Sequence, residues 1–365
     1  MRHITSLAKE IFQPDRERHA IPPLDGALRP NTLLEESQIV MDGLPGPCGL
    51  CASSVQAFLA SGQSILSFGT DAAPKLLHSV DGQISALYYD EPGEGLLAGI
   101  AGRGVIGVGG RFDGRRWASA RGVAISNPTG IAMVDDAILV TEGSTTVEPG
   151  DWRRDLLQKS RSGRLIRLDA RSDGGDVLLD GLQYPAGVAA SPEARSTLFT
   201  ESWSHALRAF GGTHRNEGSA LGFDNSPGYP GHIAPASSGG FWIAFFALRT
   251  HLIEFLLGED GYRKEMIRTV PEEFWIAPSL SPSDQMLVPL QFGQIKVLGM
   301  TKPWAPPRSY GLVVEYDQSG RPVRSLHSRN GGRLHGITST CEFAGSVFAT
   351  SHAASALIRL PGAMR

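Results

Sequence analysis

A unit of turn, short apolar strand, polar turn and second apolar strand recurs along this chain and constrains its fold more than any other feature. Its clearest copy occupies residues 127–133, 137–142 and 163–169. Six copies can be recognised, the first two weaker than the rest, and they begin near Pro47, Gln83, Asn127, Tyr184, Gly228 and Leu334. Units of roughly 40 to 60 residues that hold three or four strands are typical of propeller blades.

The repeat favours a propeller over other β-rich folds for a physical reason. An isolated sheet of four strands leaves two apolar faces uncovered, and radial stacking against neighbouring sheets buries both of them. The 44 glycines and 24 prolines are scattered, which favours many short strands joined by turns. A TIM barrel would need a helix after every strand, and the sequence offers almost none. We therefore predict an all-β, six-bladed β-propeller with a short N-terminal helical extension.

The domain organisation follows from where the repeat begins. Residues 1–32 are predicted as an N-terminal extension, with a short amphipathic helix around residues 4–12 and a proline-rich tether, and residues 33–365 as one propeller domain. Residues 151–160 are predicted as a helical excursion on a loop. Residues 252–255 are predicted as a strand, and residues 271–310 as an irregular crossing that covers one face.

The net charge and the hydropathy of the sequence bear on which partners the protein binds. The net charge of −3 gives no electrostatic reason to expect nucleic acid or anionic lipid as a partner. No apolar stretch reaches the ~18 residues of a membrane span, and the polar N-terminus lacks the apolar region of a signal peptide. We expect a cytoplasmic protein with a small-molecule substrate, no nucleic-acid or membrane partner, and homo-oligomer formation left open.

Three cysteines, Cys48, Cys51 and Cys341, are too few and too unevenly spaced for a disulfide framework. Cys48 and Cys51 form a C-x-x-C pattern, which is compatible with two small residues at a blade start, a redox pair or half of a metal site. No second C-x-x-C and no cysteine–histidine pair at zinc spacing follows, so a zinc site is not expected.

Several sequence blocks resemble a known family. Residues 228–233 and 239–244 are similar to the block PGYPDNI…GGFWVA, residues 179–191 to LDGLxFANGVALS, and residues 162–169 to SGRLLRYD. These blocks are typical of the strictosidine synthase-like branch of the gluconolactonase- and paraoxonase-type propellers. The resemblance spans roughly residues 33–362 and implies the same six-bladed fold.

The resemblance also implies where chemistry would occur. Metal-dependent relatives hold Ca²⁺ in the central channel through Glu, Asn and Asp side chains at the starts of the innermost strands. Here those positions carry Cys48, Asn127, Ala186 and Gly231–His232, so only Asn127 is retained. We expect no cofactor, with Ca²⁺ in the channel as the alternative. Strictosidine synthase itself uses a late glutamate, and that position falls near Thr338, which disfavours the same condensation.

Candidate catalytic residues lie at the same strand starts or beside them. His232 and His335 are candidate general bases, since histidine titrates near neutral pH. Cys48 is a candidate nucleophile and Glu142 a candidate acid/base partner. Each also has a structural interpretation. The histidines and the glutamate are compatible with buried side chains whose hydrogen bonds are made within the fold, and Cys48 with a small residue of a blade core. The predicted substrate-binding residues are Asn127, Tyr184, Tyr229, Arg249 and Trp275.

Two functions fit these observations. The first is an enzyme that acts on a small organic molecule in the channel, as a metal-independent hydrolase of lactone- or ester-type bonds with a histidine base. A metal-free lyase or condensing enzyme is the alternative chemistry. The second is a non-catalytic propeller that binds a small ligand after losing its metal site.

Overall fold

A computed structural model describes residues 20–70, 73–134, 136–191, 196–211, 214–220, 223–283, 296–297, 300–301 and 308–362. Six antiparallel sheets of four strands stand around a central channel, and each inner strand contacts the inner strands of both neighbouring sheets. The predicted six-bladed β-propeller is confirmed.

The blades are numbered 1 to 6 from the first inner strand along the chain. The inner strands of blades 1 to 6 are Pro47–Ala52, Ile84–Asp90, Pro128–Val134, Pro185–Ser191, Gly228–Pro235 and Ile337–Phe343. The second strands are Ala57–Ser61, Gly95–Ile100, Ala137–Glu142, Ser196–Glu201, Phe241–Leu248 and Ser346–Ser351. The third strands are Ser64–Phe68, Gly104–Val108, Gly163–Leu168, Ala206–Gly211, Gly311–Tyr316 and Ala356–Arg359. The outer strands are Lys75–Ser79, Arg116–Trp117, Gly175–Leu182, His214–Ala220, Pro322–Ser328 and Gln38–Met41.

Two short strand pairs lie outside the blades. Ser119–Ala120 pairs with Val123–Ala124, and Lys296–Val297 pairs with Met300–Thr301.

Blade 6 is assembled from both ends of the chain. Its outer strand, Gln38–Met41, precedes blade 1 in sequence but pairs with Ala356–Arg359, with Gln38 opposite Arg359. Because the first and last blades are joined by this strand, the ring is closed by backbone hydrogen bonds as well as by packing.

The second strands explain why the sheets must stack. All residues of Ala57–Ser61 and Gly95–Ile100 are buried, and their sequences are nearly continuous runs of small and apolar residues. Strands that are covered on both faces carry such runs, whereas strands with one face exposed to solvent alternate between apolar and polar residues. The core accordingly lies between blades. One cluster, for example, joins Leu198 and Leu207 of blade 4 to Ile243 and Leu312 of blade 5.

Hydrogen bonds between neighbouring inner strands form a belt around the channel. In four blades the second residue of the inner strand donates to the carbonyl oxygen of the first residue of the next inner strand. These bonds run from Cys48 to Ile84 (3.1 Å), Ser85 to Pro128 (2.5 Å), Thr129 to Pro185 (2.6 Å) and Thr338 to Pro47 (2.8 Å). Blade 4 has Ala186 at this position, and Thr200 of its second strand donates instead to the Gly231 carbonyl oxygen at 2.6 Å. We call this set the inner-strand belt.

Three α-helices occur in the described residues, and all lie between second and third strands. Helix α1 is Trp152–Gln158 in blade 3, and α2 and α3 are His251–Gly258 and Asp260–Thr269 in blade 5. Helix α1 confirms the predicted helical excursion. Short 3-10 helices are Gly26–Leu28, Leu33–Glu36, Gly110–Phe112, Pro149–Asp151 and Glu272–Phe274.

The strand predicted at residues 252–255 is wrong, because these residues belong to α2. The Thr250 side chain caps this helix by accepting a hydrogen bond from the Ile253 backbone N–H at 3.3 Å. Ile253, Leu256 and Leu257 follow the helical spacing and are buried. The third strand of blade 5 is Gly311–Tyr316, which follows the helices and the segment after them.

The predicted helix around residues 4–12 lies outside the described residues. The described part of the extension is attached to blade 5, since the Asn31 amide donates to the Ser325 carbonyl oxygen at 2.9 Å and accepts from the His327 N–H. The division at residue 32 stays a prediction. No helix in the described ranges is long and apolar enough to cross a membrane.

Candidate functional site

A cavity of about 530 Å³ opens at the end of the channel where the inner strands begin. We call it the upper cavity. Its side walls are the starts of inner strands, and its cover comes from α1 and from residues 279–281. The wall includes Cys48, Ser85, Asn127, Thr129, Tyr184, Ala186, His232, Phe246 and Thr338. The cover and rim include Trp152, Arg153, Ser279, Leu280, Ser281 and His352.

The structure brings four of the nine predicted site residues together on this cavity. They are Cys48, Asn127, Tyr184 and His232. The other five do not line it; these are His335, Glu142, Tyr229, Arg249 and Trp275. The functional roles proposed from sequence stay predictions, but the surroundings of each side chain narrow what it can do.

Asn127 is fully buried and lines the upper cavity, yet neither atom of its amide has a hydrogen bond of normal geometry within the described residues. Its backbone is held firmly, because the Glu142 carboxylate accepts from the N–H groups of Asn127 (3.3 Å) and Ser126 (2.7 Å). Arg164 in turn forms a buried ion pair with Glu142. Glu142 therefore positions the turn that carries Asn127, from behind the cavity wall.

Tyr184 occupies the equivalent turn of blade 4, one residue before the inner strand. Its φ of 57° is unusual for a residue with a side chain and costs on the order of 1 kcal/mol or more. The Glu201 carboxylate accepts from the Gln183 N–H at 2.6 Å and so supports this turn as Glu142 supports that of Asn127. Burial raises the pKa of the Tyr184 hydroxyl, and a contact with the Asn127 amide offsets part of that effect. The hydroxyl is therefore protonated and can donate to a ligand.

His232 lies where two cavities meet. It lines the upper cavity and also a lower one of about 350 Å³, which is formed by the far halves of the inner strands. Burial lowers the pKa of the imidazole to about 4. Its Nδ1 accepts from the Thr340 backbone N–H at 3.4 Å, so in the neutral ring the proton resides on Nε2. The second nitrogen, Nε2, is then a hydrogen-bond donor, which suits ligand binding better than proton abstraction.

Cys48 belongs to the inner-strand belt, and burial raises the pKa of its thiol to about 12. A thiol in this state is a poor nucleophile, because the reactive form is the thiolate. Cys51 lines the lower cavity together with Cys341, so the two cysteines of the C-x-x-C face opposite halves of the channel. All three cysteines are free.

His335 has both ring nitrogens engaged away from the cavity. Nδ1 lies 2.8 Å from the Ser309 hydroxyl and Nε2 lies 3.0 Å from the Arg329 carbonyl oxygen. Its side chain is buried, and burial is the main cause of its lowered pKa. These contacts describe a histidine that joins segments of blades 5 and 6 and leaves no nitrogen for a substrate.

Arg249 is also committed to a structural contact. Its guanidinium forms a two-point ion pair with Glu254 of α2 at 2.9 and 3.0 Å, and both side chains are buried. The charge predicted to bind a substrate carboxylate is therefore already balanced. The pair attaches α2 to the end of the Phe241–Leu248 strand.

Tyr229 and Trp275 lie in an aromatic cluster behind the cavity wall. Tyr229 is fully buried with its ring 5.8 Å from that of Trp203, and the Trp275 Nε1–H donates to the Val270 carbonyl oxygen at 2.8 Å. Trp203 stacks on Tyr184 at 4.6 Å and donates to Asp155 of α1 at 2.7 Å. The cluster thus fixes α1 and the Tyr184 turn against blades 4 and 5.

The sequence interpretation missed two residues of the cover that lie side by side. The Ser281 Oγ is 3.3 Å from Nδ1 of His352, and both side chains line the upper cavity. His352 follows the second strand of blade 6 directly, which is a repeated position and could have been found from the repeat. Ser281 lies in an irregular segment with no counterpart in the other blades.

The protein-family comparison matches the strictosidine synthase model to residues 127–210. The resemblance predicted from the sequence is confirmed. The chain is 27% identical to the adipocyte plasma membrane-associated protein of Bos taurus, over 93% of this chain and 82% of that protein. It is 30% identical to the Homo sapiens protein of the same name, over 61% of this chain and 48% of that protein. It is 27% identical to the strictosidine synthase-like protein 1 of Arabidopsis thaliana, over 42% of this chain and 39% of that protein.

Solved structures show the same architecture. A gluconolactonase from Xanthomonas campestris superposes with a TM-score of 0.56 at 13% identity, over 94% of this chain and 95% of that one. A calcium-binding regucalcin from Agrobacterium tumefaciens superposes with a TM-score of 0.53 at 10% identity, over 89% and 92% of the two chains. At such identities the likeness concerns the fold alone. Because one of these structures is of a calcium-binding protein, we compared the side chains that line the upper cavity with the ligands that Ca²⁺ requires.

The donor set of the upper cavity does not fit Ca²⁺. Ca²⁺ takes six to eight oxygen ligands, usually with several carboxylates. Among the described residues that line the cavity, none is Asp or Glu, and Cys48 and Ala186 stand at two of the positions where the family resemblance predicts oxygen ligands. Across the described residues, no group of three or more His, Cys, Asp or Glu side chains is placed to hold a metal ion.

Proposed function

We propose that this protein hydrolyses esters or lactones of small, largely apolar organic molecules in the upper cavity, through side chains rather than through Ca²⁺. The observation that carries the proposal is the Asn127 amide. Apart from its contact with the Tyr184 hydroxyl, the amide has no partner among the described residues. A buried polar atom left unsatisfied costs about 1–3 kcal/mol, so it persists where a ligand or water satisfies it. Asn127 is held rigidly by Glu142 and lines the cavity, which suits recognition of one polar group on a ligand.

The size and lining of the cavity support a small apolar substrate. A volume of about 530 Å³ falls within the range of roughly 300–1,000 Å³ that is common for small-molecule sites. Trp152, Phe246 and Tyr184 supply aromatic surface, and their rings belong to one packed cluster. Such walls bury apolar parts of a ligand, and a few polar groups then set its orientation.

Neutral donors on the wall support attack at a carbonyl. The Nε2–H of His232 and the hydroxyl of Tyr184 both carry protons at neutral pH, because burial disfavours the charged form of each side chain. Donors of this kind stabilise the negative charge that develops on a carbonyl oxygen when a nucleophile adds to the carbon. A condensation of the strictosidine synthase type has less support, because Thr338 stands near the position of its glutamate and belongs to the inner-strand belt.

The proposal is tested by turnover of a panel of aryl esters, alkyl esters and lactones with purified protein in the presence of a chelator. Asn127→Ala should lower kcat/KM at least about tenfold, because the amide orients the substrate in both ground and transition states. Asn330→Ala is the matched control. Its amide nitrogen also lacks a partner but does not line the cavity, so its turnover should be unchanged. Absence of hydrolysis across the panel would contradict the proposal.

The second candidate is a propeller that binds a small ligand without turnover. It is favoured by the lack of a carboxylate on the described cavity wall and by the low pKa of His232, which makes that ring a weak base. Incubation with a metabolite extract followed by mass spectrometry separates the two candidates. Retention of a compound without any product supports binding, and consumption of a compound excludes binding alone.

A further inference from the structure

Ser281 and His352 form a pair on the rim of the upper cavity that none of the roles described above uses. The Ser281 Oγ lies 3.3 Å from His352 Nδ1, and both residues line the cavity. A hydroxyl next to a neutral imidazole nitrogen is the arrangement by which serine becomes a nucleophile. Distances slightly longer than an ideal hydrogen bond are usual for such pairs before substrate binds.

The serine is held in place by its own segment. The Ser279 hydroxyl accepts from the Ser281 N–H at 3.3 Å and donates to the Ser281 carbonyl oxygen at 2.8 Å, which closes a small local ring. The Ser279 N–H donates to the Arg308 carbonyl oxygen at 3.0 Å and so joins this segment to the following one. These contacts hold the backbone of Ser281 beside the cavity.

The segment approaches blade 6 closely because of a glycine. Gly336 has a φ of 61°, and a Cβ at this position would clash with the Leu280 carbonyl oxygen. A glycine thus allows residues 279–281 to rest on the start of the inner strand of blade 6. The same Gly336 accepts from the His352 N–H at 3.0 Å through its carbonyl oxygen, which places His352 beside that segment.

The His352 imidazole is neutral, although burial makes it a weaker base than a free histidine. It is partly buried, and burial lowers its pKa, so the ring is neutral at pH 7. In the tautomer with its proton on Nε2, Nδ1 offers its lone pair to the Ser281 hydroxyl proton.

We propose that Ser281 is the nucleophile of this cavity and that His352 is its general base, so that hydrolysis passes through an acyl-enzyme on Ser281. This inference rests on the proposed ester or lactone hydrolysis. The Ser281 Oγ bonds to the carbonyl carbon while its proton passes to His352 Nδ1. The carbonyl carbon then releases the alcohol oxygen, which takes that proton from His352.

Water completes the cycle without any further reactant. It attacks the acyl carbon and gives a proton to His352 Nδ1, and the bond to the Ser281 Oγ breaks. Ser281 recovers its proton from His352, and the carboxylic acid leaves. The Nε2–H of His232 and the Tyr184 hydroxyl are the available donors to the carbonyl oxygen in both halves.

A fluorophosphonate probe tests the pair without knowledge of the substrate, because it reacts with activated serine hydroxyls. Intact mass and peptide mapping of the full chain should show one added phosphonyl group on Ser281. Ser281→Ala should abolish this label, and His352→Gln should slow labelling at least tenfold. Ser238→Ala is the matched control, since the Ser238 side chain is exposed on a turn of blade 5 and lines neither cavity, and it should label like wild type. Thermal unfolding of each variant verifies that it is folded.

The outcomes separate this inference from the proposed function. Hydrolysis that persists in Ser281→Ala, or a label on another residue, overturns the nucleophile and leaves the proposed hydrolysis standing. A label on Ser281 that depends on His352, in a protein that hydrolyses no ester or lactone of the panel, supports the activated pair and overturns the substrate class. Absence of both label and hydrolysis overturns both.

Discussion

Side chains at the start of an inner strand have different tasks according to their position. Where the second residue of the strand is Cys, Ser or Thr, its side chain donates to the next blade and so belongs to the inner-strand belt, as for Cys48 and Thr338. Residues just before the inner strand, such as Asn127 and Tyr184, have no such duty and face the cavity. Two positions along the chain, as between Asn127 and Thr129, therefore separate a side chain committed to the belt from one outside it.

At the scale of single residues, the structure predicts the protonation state and the tautomer of His232. With a pKa of about 4 and Nδ1 occupied by the Thr340 N–H, the ring should be neutral with its proton on Nε2 throughout pH 5.5–8. Two-dimensional ¹⁵N–¹H spectra of the imidazole groups, compared with those of His232→Gln for assignment, report both the midpoint and the tautomer. A midpoint near the ordinary value of ~6.5, or a proton on Nδ1, would contradict the donor role.

The same pKa predicts a stability change with a definite sign. Between pH ~6.5 and ~4 the unfolded chain binds a proton at His232 that the native state does not, so stability rises with pH across this window. The stability gained from keeping His232 neutral is fully present above pH ~6.5 and falls by up to about 1.4 kcal/mol for each unit of acidification towards pH 4. Urea unfolding of His232→Gln should show less acid sensitivity than wild type, whereas the exposed His251→Gln should match wild type.

Single residues show how far the sequence alone could lead. Asn127, Tyr184 and His232 were found because they stand at repeated positions of the blade, and the repeat aligns them around one axis. Ser281 could not be found this way, because residues 275–283 have no counterpart in other blades. Arg249 was assigned to a substrate carboxylate because its partner Glu254, five residues later, becomes adjacent only when α2 forms.

At the scale of elements, the inner-strand belt should contribute to the stability of the ring. Thr338→Val keeps the side-chain shape but leaves the Pro47 carbonyl oxygen without the 2.8 Å hydrogen bond. The loss should lower the free energy of unfolding by about 1–2 kcal/mol. Thr338→Ser is the control because it retains the hydroxyl, and it should lose clearly less. Urea denaturation midpoints measure both, and equal losses in the two variants would contradict a belt contribution.

Helix α2 illustrates why an element was misread. The run Leu-Ile-Glu-Phe at residues 252–255 fits a strand as well as a helix when it is considered alone, because it is short and apolar. The decisive signals were Thr250 as a helix N-cap and the recurrence of apolar residues at Ile253, Leu256 and Leu257. The repeat pattern favoured a strand at this place and masked both signals.

At the scale of the whole molecule, the number of blades was predictable and the way the ring closes was not. Blade number follows from the period of the repeat, which every copy expresses locally. Closure depends on pairing of Gln38–Met41 with Ala356–Arg359, two segments separated by nearly the whole chain. Neither segment carries a local signal for the other, so only the assembled ring reveals the pairing.

The ring as a whole also predicts the response to calcium. Its channel carries Cys48, Asn127, Ala186 and His232 at positions where the family resemblance predicts oxygen ligands, and only Asn127 has a side-chain oxygen, so Ca²⁺ should find too few donors. The midpoint of thermal unfolding should therefore differ by less than about 1 °C between millimolar CaCl₂ and EDTA, since only a ligand that binds the native state raises it. A calcium-dependent rise of several degrees in the wild-type protein would contradict the predicted absence of this cofactor.

A variant with oxygen donors added at these positions tests the same prediction in the opposite direction, because it should gain a response to Ca²⁺. The substitutions Cys48→Glu, Ala186→Asn and His232→Asp would surround the native Asn127 with oxygen donors contributed by four different blades. In EDTA this variant should be less stable than wild type, because two carboxylates then lie close together without a counter-ion. Added CaCl₂ should raise its midpoint by several degrees and leave wild type unchanged. A variant that is folded and indifferent to Ca²⁺ would show that these four positions do not converge as the structure places them.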